Sequence, residues 1–498
     1  MNNLKKRLIS IVLILFVSVS IITGCSQNSK DEEFQKDTDI SETNTESEID
    51  LPPAEEYIYP DIDGEGSDFR VLNGKNEWGF YTDLVHDEMT GDVLDDVIYM
   101  RNRFIEDKFN MNIIEIPVDI NGVAEQLRRT ISAGDDEYDA AFNPAFSAVP
   151  IGTLIVENFF YNQKEISTLN LEKSWWNQTM IKEAAIGKGE KLYYSGCEIN
   201  IMALQSVACL FFNQDMMTSL GLELPYNAVR EGKWTLELFD QYLKSAANPN
   251  GDATFDWEPN GNATYGFTAM ENSIAALVAG FGECFIKTDE QGYPYLAIDT
   301  EQFINATNKA AEILYDKGKY LPTDRPRECF YEQEFMKGRT LMIIDELKGA
   351  DIFREMDTTF GILPMPKYNE SQENYYCIPI FQIPVLVIPS TNSRPDFTGI
   401  ILDAWAYVSN RDVTPAFFDI SVSQKQLRNE DSIDMLQIIK SSGSFEVGCA
   451  YGWTTDFYND FRNTLGAAKE YNIVSKTEAA KDGISAKIAD TMKFFDEN

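Results

Sequence analysis

The chain has 498 residues, 80 of them Asp or Glu and 42 Lys or Arg, for a formal net charge of −38. That balance excludes nucleic acid and anionic lipid surfaces as partners, because both are held by positive patches. The length exceeds what one hydrophobic core supports and predicts two domains.

The N-terminus gives an address. Lys5, Lys6 and Arg7 precede an apolar run over residues 9–22, too short for a comfortable transmembrane helix and suited to the core of a signal peptide. Ile22-Thr23-Gly24-Cys25 follows, in which small residues let a lipoprotein peptidase grip extended backbone and the Cys25 thiol accepts lipid. Residues 1–24 are therefore expected to be a signal peptide. Residues 25–54 are polar and poor in large apolar side chains, so they cannot offset their ordering entropy and read as a disordered tether. The expected location is the outer face of the cell membrane, anchored by lipid at Cys25.

Within the body, residues 76–84 (NEWGFYTDL) start as a strand and end in a polar loop. Val93, Val97, Met100, Phe104, Ile105 and Phe109 recur at helical spacing. Residues 111–118 read as a strand, 123–133 as a helix and 138–142 as a third strand. This β-α-β-α-β order implies a mostly parallel sheet with helices on both faces. Residues 197–213 look like buried strands passing into a second domain. Helices are expected at 216–220, 236–247, 273–280 and 303–317, with Thr235 as an N-cap. Residues 341–344 (LMII) form a buried strand ahead of Asp345 and Glu346, 360–366 a proline-punctuated connector, and 383–388 a strand returning to the first domain. Helices at 396–409 and 432–441 follow. Apart from Cys25, the cysteines Cys197, Cys209, Cys284, Cys329, Cys377 and Cys449 are scattered, and the chain has one histidine, His86. A structural zinc site is not expected; disulfides and buried thiols both stay open.

Several runs, in order along the body, carry a resemblance: DVLDDVIYMRN (92–102), GDDEYDA (134–140), SWWN (174–177), LFFN (210–213), GLELP (221–225), GKWT (232–235), FMKGRTL (335–341), FGILPMPKY (360–368), TPAFFD (414–419) and RNEDSIDM (428–435). The chain resembles the extracellular solute-binding proteins of ABC transporters, in the sugar-binding family that includes maltose-binding proteins, and most of all their Gram-positive lipoprotein forms. The resemblance implies a periplasmic-binding-protein-like α/β fold, with two lobes joined by hinge segments around an interlobe cleft. It places the first lobe at 55–205, the second at 206–375, and at 376–498 a return segment that completes the first lobe and the hinge and carries helices able to contact the second. It further implies a monomer that captures a mono- or oligosaccharide and hands it to a membrane permease, with no catalysis, cofactor or metal.

A sugar offers hydroxyls and an apolar ring face, so its site needs carboxylates or amides and exposed aromatic rings. Asp83 at the end of the first expected strand, Asn143 after the third, and Asp345 and Glu346 after LMII are the polar candidates, since such strand ends face the cleft in parallel sheets. Trp453, in the glycine-flexed loop 451–454, is the leading stacking candidate, followed by Tyr376 and Tyr265. Trp175-Trp176 could stack or pack; Trp405 reads as core and Trp234 as a hydrophobic staple. Residues 248–260 place oxygens at alternate positions but lack most ligands of a calcium loop, so they read as a plain loop. The alternatives are a surface-anchored glycoside hydrolase and a carbohydrate adhesin. The sequence contains neither G-x-S-x-G nor H-E-x-x-H.

Overall fold

The computed structural model describes residues 56–75, 83–145, 149–187, 189–322, 330–379, 383–421 and 430–497. The expected signal peptide and tether, with Cys25, lie outside them, as does Cys329.

Phe69, Val71 and Leu72 are fully buried and make Ser67–Lys75 the first strand, β1. It ends just before the run expected to begin the first strand, and residues 76–82 lie outside the described residues. The helix Val93–Phe109 starts at Asp92, whose carboxylate accepts from the amides of Leu94 and Asp95, and stops at Asn110 in the left-handed region (φ 48°). It leads into β2 (Met111–Asp119), which runs parallel to β1 in register from Ser67↔Met111 to Lys75↔Asp119. The helix Val123–Ala133 ends at Gly134 and delivers β3 (Ala140–Pro144) to the other side of β1, again parallel. The expected β-α-β-α-β order is present, with its first and third strands displaced along the sequence.

The chain then leaves this sheet. Residues 197–207 are turns and the short helix Met202–Gln205 rather than a continuous strand. After them come β4 (Ala208–Asn213), β5 (Tyr265–Ala269), the hairpin of β6 (Ile286–Thr288) and β7 (Pro294–Leu296), β8 (Tyr320–Pro322), β9 (Thr340–Glu346) and β10 (Phe360–Leu363). Five of them form a second sheet in the order β10-β4-β9-β5-β8. Phe360–Leu363 is thus a buried strand paired antiparallel with β4, where a connector was expected: its alternate neighbours Phe212 and Phe211 supply the apolar wall that a connector lacks. β11 (Pro384–Val387) returns to the first sheet, antiparallel to β3, and completes the order β11-β3-β1-β2. Each sheet with its helices is one lobe, and the first lobe is built from segments on either side of the second.

The returning segment is clamped by charge. Asp139, fully buried, accepts from Arg70 Nε at 3.1 Å and from Arg394 Nε at 2.8 Å, tying β1 to the start of the helix Pro395–Val408. Thr235 precedes the helix Leu236–Ala246 as expected, but its side chain makes no capping bond; its backbone bridges to Lys367 instead. Trp234 is buried beside it and donates to the Pro364 carbonyl at 2.9 Å. Trp405 is core, under the Arg101 guanidinium at 5.1 Å. Cys197, Cys209, Cys284, Cys377 and Cys449 are free thiols. Among the described residues no helix is long and apolar enough to cross a membrane.

Candidate functional site

Three passages of chain lie side by side between the lobes. The outgoing one bridges Val207 to Pro379 of the returning one, where the Ala208 amide donates to the Ile378 carbonyl at 3.0 Å. The third runs parallel to the second: the Cys377 amide donates to the Ser442 carbonyl at 2.8 Å and the Ser444 amide to the Cys377 carbonyl at 3.0 Å.

A cavity of about 820 Å³ opens against the second and third of these passages. One wall is the helix Gln178–Ala184, fixed to the first lobe through Asn177 and Gly196, and contributes Gln178, Lys182 and Glu183. The facing wall belongs to the second lobe: Asn272, then Ala275, Ala276 and Ala279 of the helix Ile274–Gly280, then Glu283, Phe285 and Lys287. Tyr375 and Tyr376 come from the second passage, and Ser444, Phe445 and Glu446 from the third. The small alanines leave the space, while the aromatic rings and carboxyls give it chemistry.

Two carboxyls dominate. Glu183 accepts from the Ser444 hydroxyl at 2.9 Å and from the Phe445 amide at 2.6 Å, so it ties the first-lobe wall to the third passage. Burial pushes its pKa up to about 7 against the pull of those two donors. Glu446 caps the short helix Val447–Ala450, accepting from the Gly448 amide at 3.1 Å and from the Phe285 amide of the second lobe at 2.7 Å. Burial, with the nearby charge of Glu183 adding to it, raises Glu446 to about 8. Glu283 is paired with Lys287 at 2.8 Å.

Of the residues expected at the site, Tyr376 lines this cavity. It is half-buried and makes no ring–ring contact among the described residues. The others sit elsewhere. Asp83 is half-exposed and paired with Lys75 at the end of β1. Asn143 lies inside β3 rather than after it: it is fully buried, with Nδ2 donating to the Pro144 carbonyl at 2.9 Å and Oδ1 without a partner. Asp345 and Glu346 are the last residues of β9, opposite Cys209 and Ala208 where the outgoing passage enters the second sheet. Asp345 has one buried oxygen without a partner, and burial raises it well above the usual carboxylate range; burial likewise lifts Glu346 to about 7. Neither lines the cavity. Tyr265 is buried inside β5, its hydroxyl donating to the Phe255 carbonyl at 3.2 Å. Trp453 is not an exposed loop ring: it is buried, stacked on Tyr451 at 4.7 Å, and donates to Thr491 at 2.9 Å. In the loop 248–260, Asp252 is occupied by the amides of Asn262 and Ala263.

Neither a family model nor a curated relative matches the chain. Solved structures do. The cyclic alpha-maltosyl-1,6-maltose binding protein from Arthrobacter globiformis superposes with a TM-score of 0.56 at 11% identity, covering 85% of this chain and 100% of that one. The fold is periplasmic-binding-protein-like. A cyclo/maltodextrin-binding protein complexed with maltotetraose shares the fold at TM-score 0.54 and 13% identity, over 87% of this chain and 98% of its own. An ABC substrate-binding protein from Listeria monocytogenes in complex with cycloalternan does so at 0.52 and 12%, over 85% and 99%. In the periplasmic-binding-protein-like fold of this chain, the cavity borders the second and third passages.

Glu183, Glu446 and Asn272 were not expected as site residues. Only Glu446 has a signal in the sequence, as an isolated acid in the small and apolar run SGSFEVG (442–448).

Proposed function

We propose that this chain is the substrate-binding lipoprotein of an ABC importer, which captures a mono- or oligosaccharide between its lobes and delivers it unaltered to a membrane permease. The observation that carries this reading is the cavity itself: walls from both lobes, the half-buried Tyr376 and hydrogen-bonding groups, set against the chain passages about which lobes of this kind close. The fold neighbours named for glucan-type oligosaccharides support the ligand class.

Tyr376→Ala is expected to weaken saccharide binding more than about tenfold through loss of ring stacking, with stability nearly unchanged because the ring is half-exposed. Calorimetric titration with a glycan selected by thermal shift checks it; unchanged affinity removes this cavity from the reading. The anchor is proposed at Cys25 on the strength of the run ITGC. Cys25→Ser is expected to abolish incorporation of radiolabelled lipid, and continued labelling would contradict the anchor.

A further inference from the structure

The hairpin of β6 and β7 does more than wall the cavity. It leaves the third passage at Phe285, whose amide donates to Glu446 at 2.7 Å. Lys287 and Thr288 of its first arm and Tyr295 of its second then line the cavity. Beyond them comes a stiff turn. The Asp289 carboxylate accepts from the amides of Gln291 and Tyr293 at 2.9 Å each, and Gly292 takes the left-handed conformation (φ 75°) that glycine adopts without steric cost. This turn touches the first lobe, where the Gly187 amide donates to the Gly292 carbonyl at 3.3 Å. Gly187 lies just after the wall helix Gln178–Ala184. The two walls therefore meet on the far side of the cavity from the third passage.

A second element joins the same place. The helix Ile473–Glu497 begins on the second lobe: the Tyr471 amide just before it donates to the Tyr315 hydroxyl at 2.7 Å, and Ile473, Thr477 and Ile484 are buried along its first half. Its last turn ends on the first lobe. Lys191 Nζ donates to the Phe495 carbonyl at 2.6 Å, and the buried Phe495 ring lies 5.9 Å from that of Tyr193. The next residue, Asp496, accepts from the Tyr293 hydroxyl of the hairpin turn at 3.4 Å. A helix has a fixed rise per residue and cannot lengthen when the lobes part, so one end must let go. The first-lobe end is held by one turn and the second-lobe end by several.

We propose that this junction is a latch. The hairpin turn and the last turn of the helix, docked together on Gly187, Lys191 and Tyr193, hold the lobes closed over the cavity, and a ligand enters or leaves only when they undock. This goes beyond the saccharide reading and depends on the two-lobe fold alone. The junction is small beside the core of either lobe: two of its hydrogen bonds, at 3.3 and 3.4 Å, are long, and Gly187, Lys191 and Tyr293 are only part-buried. Contacts of this kind open before the sheets do.

The test uses the whole protein without ligand. Two variants loosen the junction: Phe495→Ala, and Lys191→Met, which removes the ammonium but keeps the apolar stem. In each, hydrogen exchange at residues 186–193 and 289–296 is expected to rise about tenfold while β2 and β9 keep their protection. Small-angle scattering is expected to give a larger radius of gyration. Unchanged exchange in both segments of both variants, or faster exchange with an unchanged radius, overturns the latch. So does an equal rise in β2 and β9 of both variants, since the contact would then hold the fold and not the lobes. If Phe495→Ala fails to fold, Lys191→Met decides by the same criteria. Failure of Tyr376→Ala to alter saccharide binding would leave these results as they stand.

Discussion

Asp403→Ala is expected to lower the free energy of unfolding by about 3–5 kcal/mol. Asp403 lies fully buried on the helix Pro395–Val408 and accepts from the Trp175 indole at 2.8 Å, the Trp176 indole at 2.9 Å and the Asn170 amide at 3.3 Å. The Asn170 side chain donates to its other oxygen. A single carboxylate therefore satisfies the polar atoms of two buried tryptophans and pins the loop 170–177 to the returning segment of the first lobe. Truncation leaves the two buried indole donors without partners, and their burial prevents water from replacing the lost oxygen. Asp403→Asn should cost less, because the amide keeps one acceptor. Denaturant unfolding measures both; a loss below about 1 kcal/mol for the alanine variant would show that the donors find other partners.

Trp453→Ala is expected to cost about 3–5 kcal/mol as well, for a different reason: a large ring leaves a cavity that its surroundings cannot close. The ring is 2% exposed and lies nearly parallel to Tyr451, with 17° between the planes. Tyr451 is itself held close to the first lobe: a Cβ at Gly152 would sit 2.5 Å from its ring. The indole reaches the helix Ile473–Glu497 through Thr491. The folded variant should keep its saccharide affinity within about twofold, since the ring does not border the cavity. A large loss of affinity with little loss of stability would reverse the assignment.

These two positions show where sequence reasoning reached and where it stopped. Periodicity gave the crossover helices 93–109 and 123–133, and apolar runs gave β4, β9 and β11, because each element carries its pattern within a few residues. The first strand was displaced since only Phe69, Val71 and Leu72 mark it, in a run broken by Arg70 and Asn73. That displacement moved the expected strand end to Asp83. Trp453 follows a glycine, and a glycine-flexed aromatic loop reads as exposed; what buries it is a helix that begins 20 residues later in sequence and Gly152 far upstream. The carboxyl pair was the least legible feature. Glu183 meets Ser444 across 261 residues of sequence, and with 80 acidic residues in the chain no single glutamate stands out until the fold brings it to the cavity. Tyr376, which lines the cavity, was singled out because it follows a polar connector, and that connector leads into the second passage.

A crystal structure of the protein grown with the glycan that most raises its melting temperature would test the account most directly. The predicted result is an intact saccharide in the cavity, one ring against Tyr376 and its polar groups within hydrogen-bond distance of Asn272 and Glu446. A cleaved sugar there, or an intact one bound elsewhere with the cavity vacant, would contradict it.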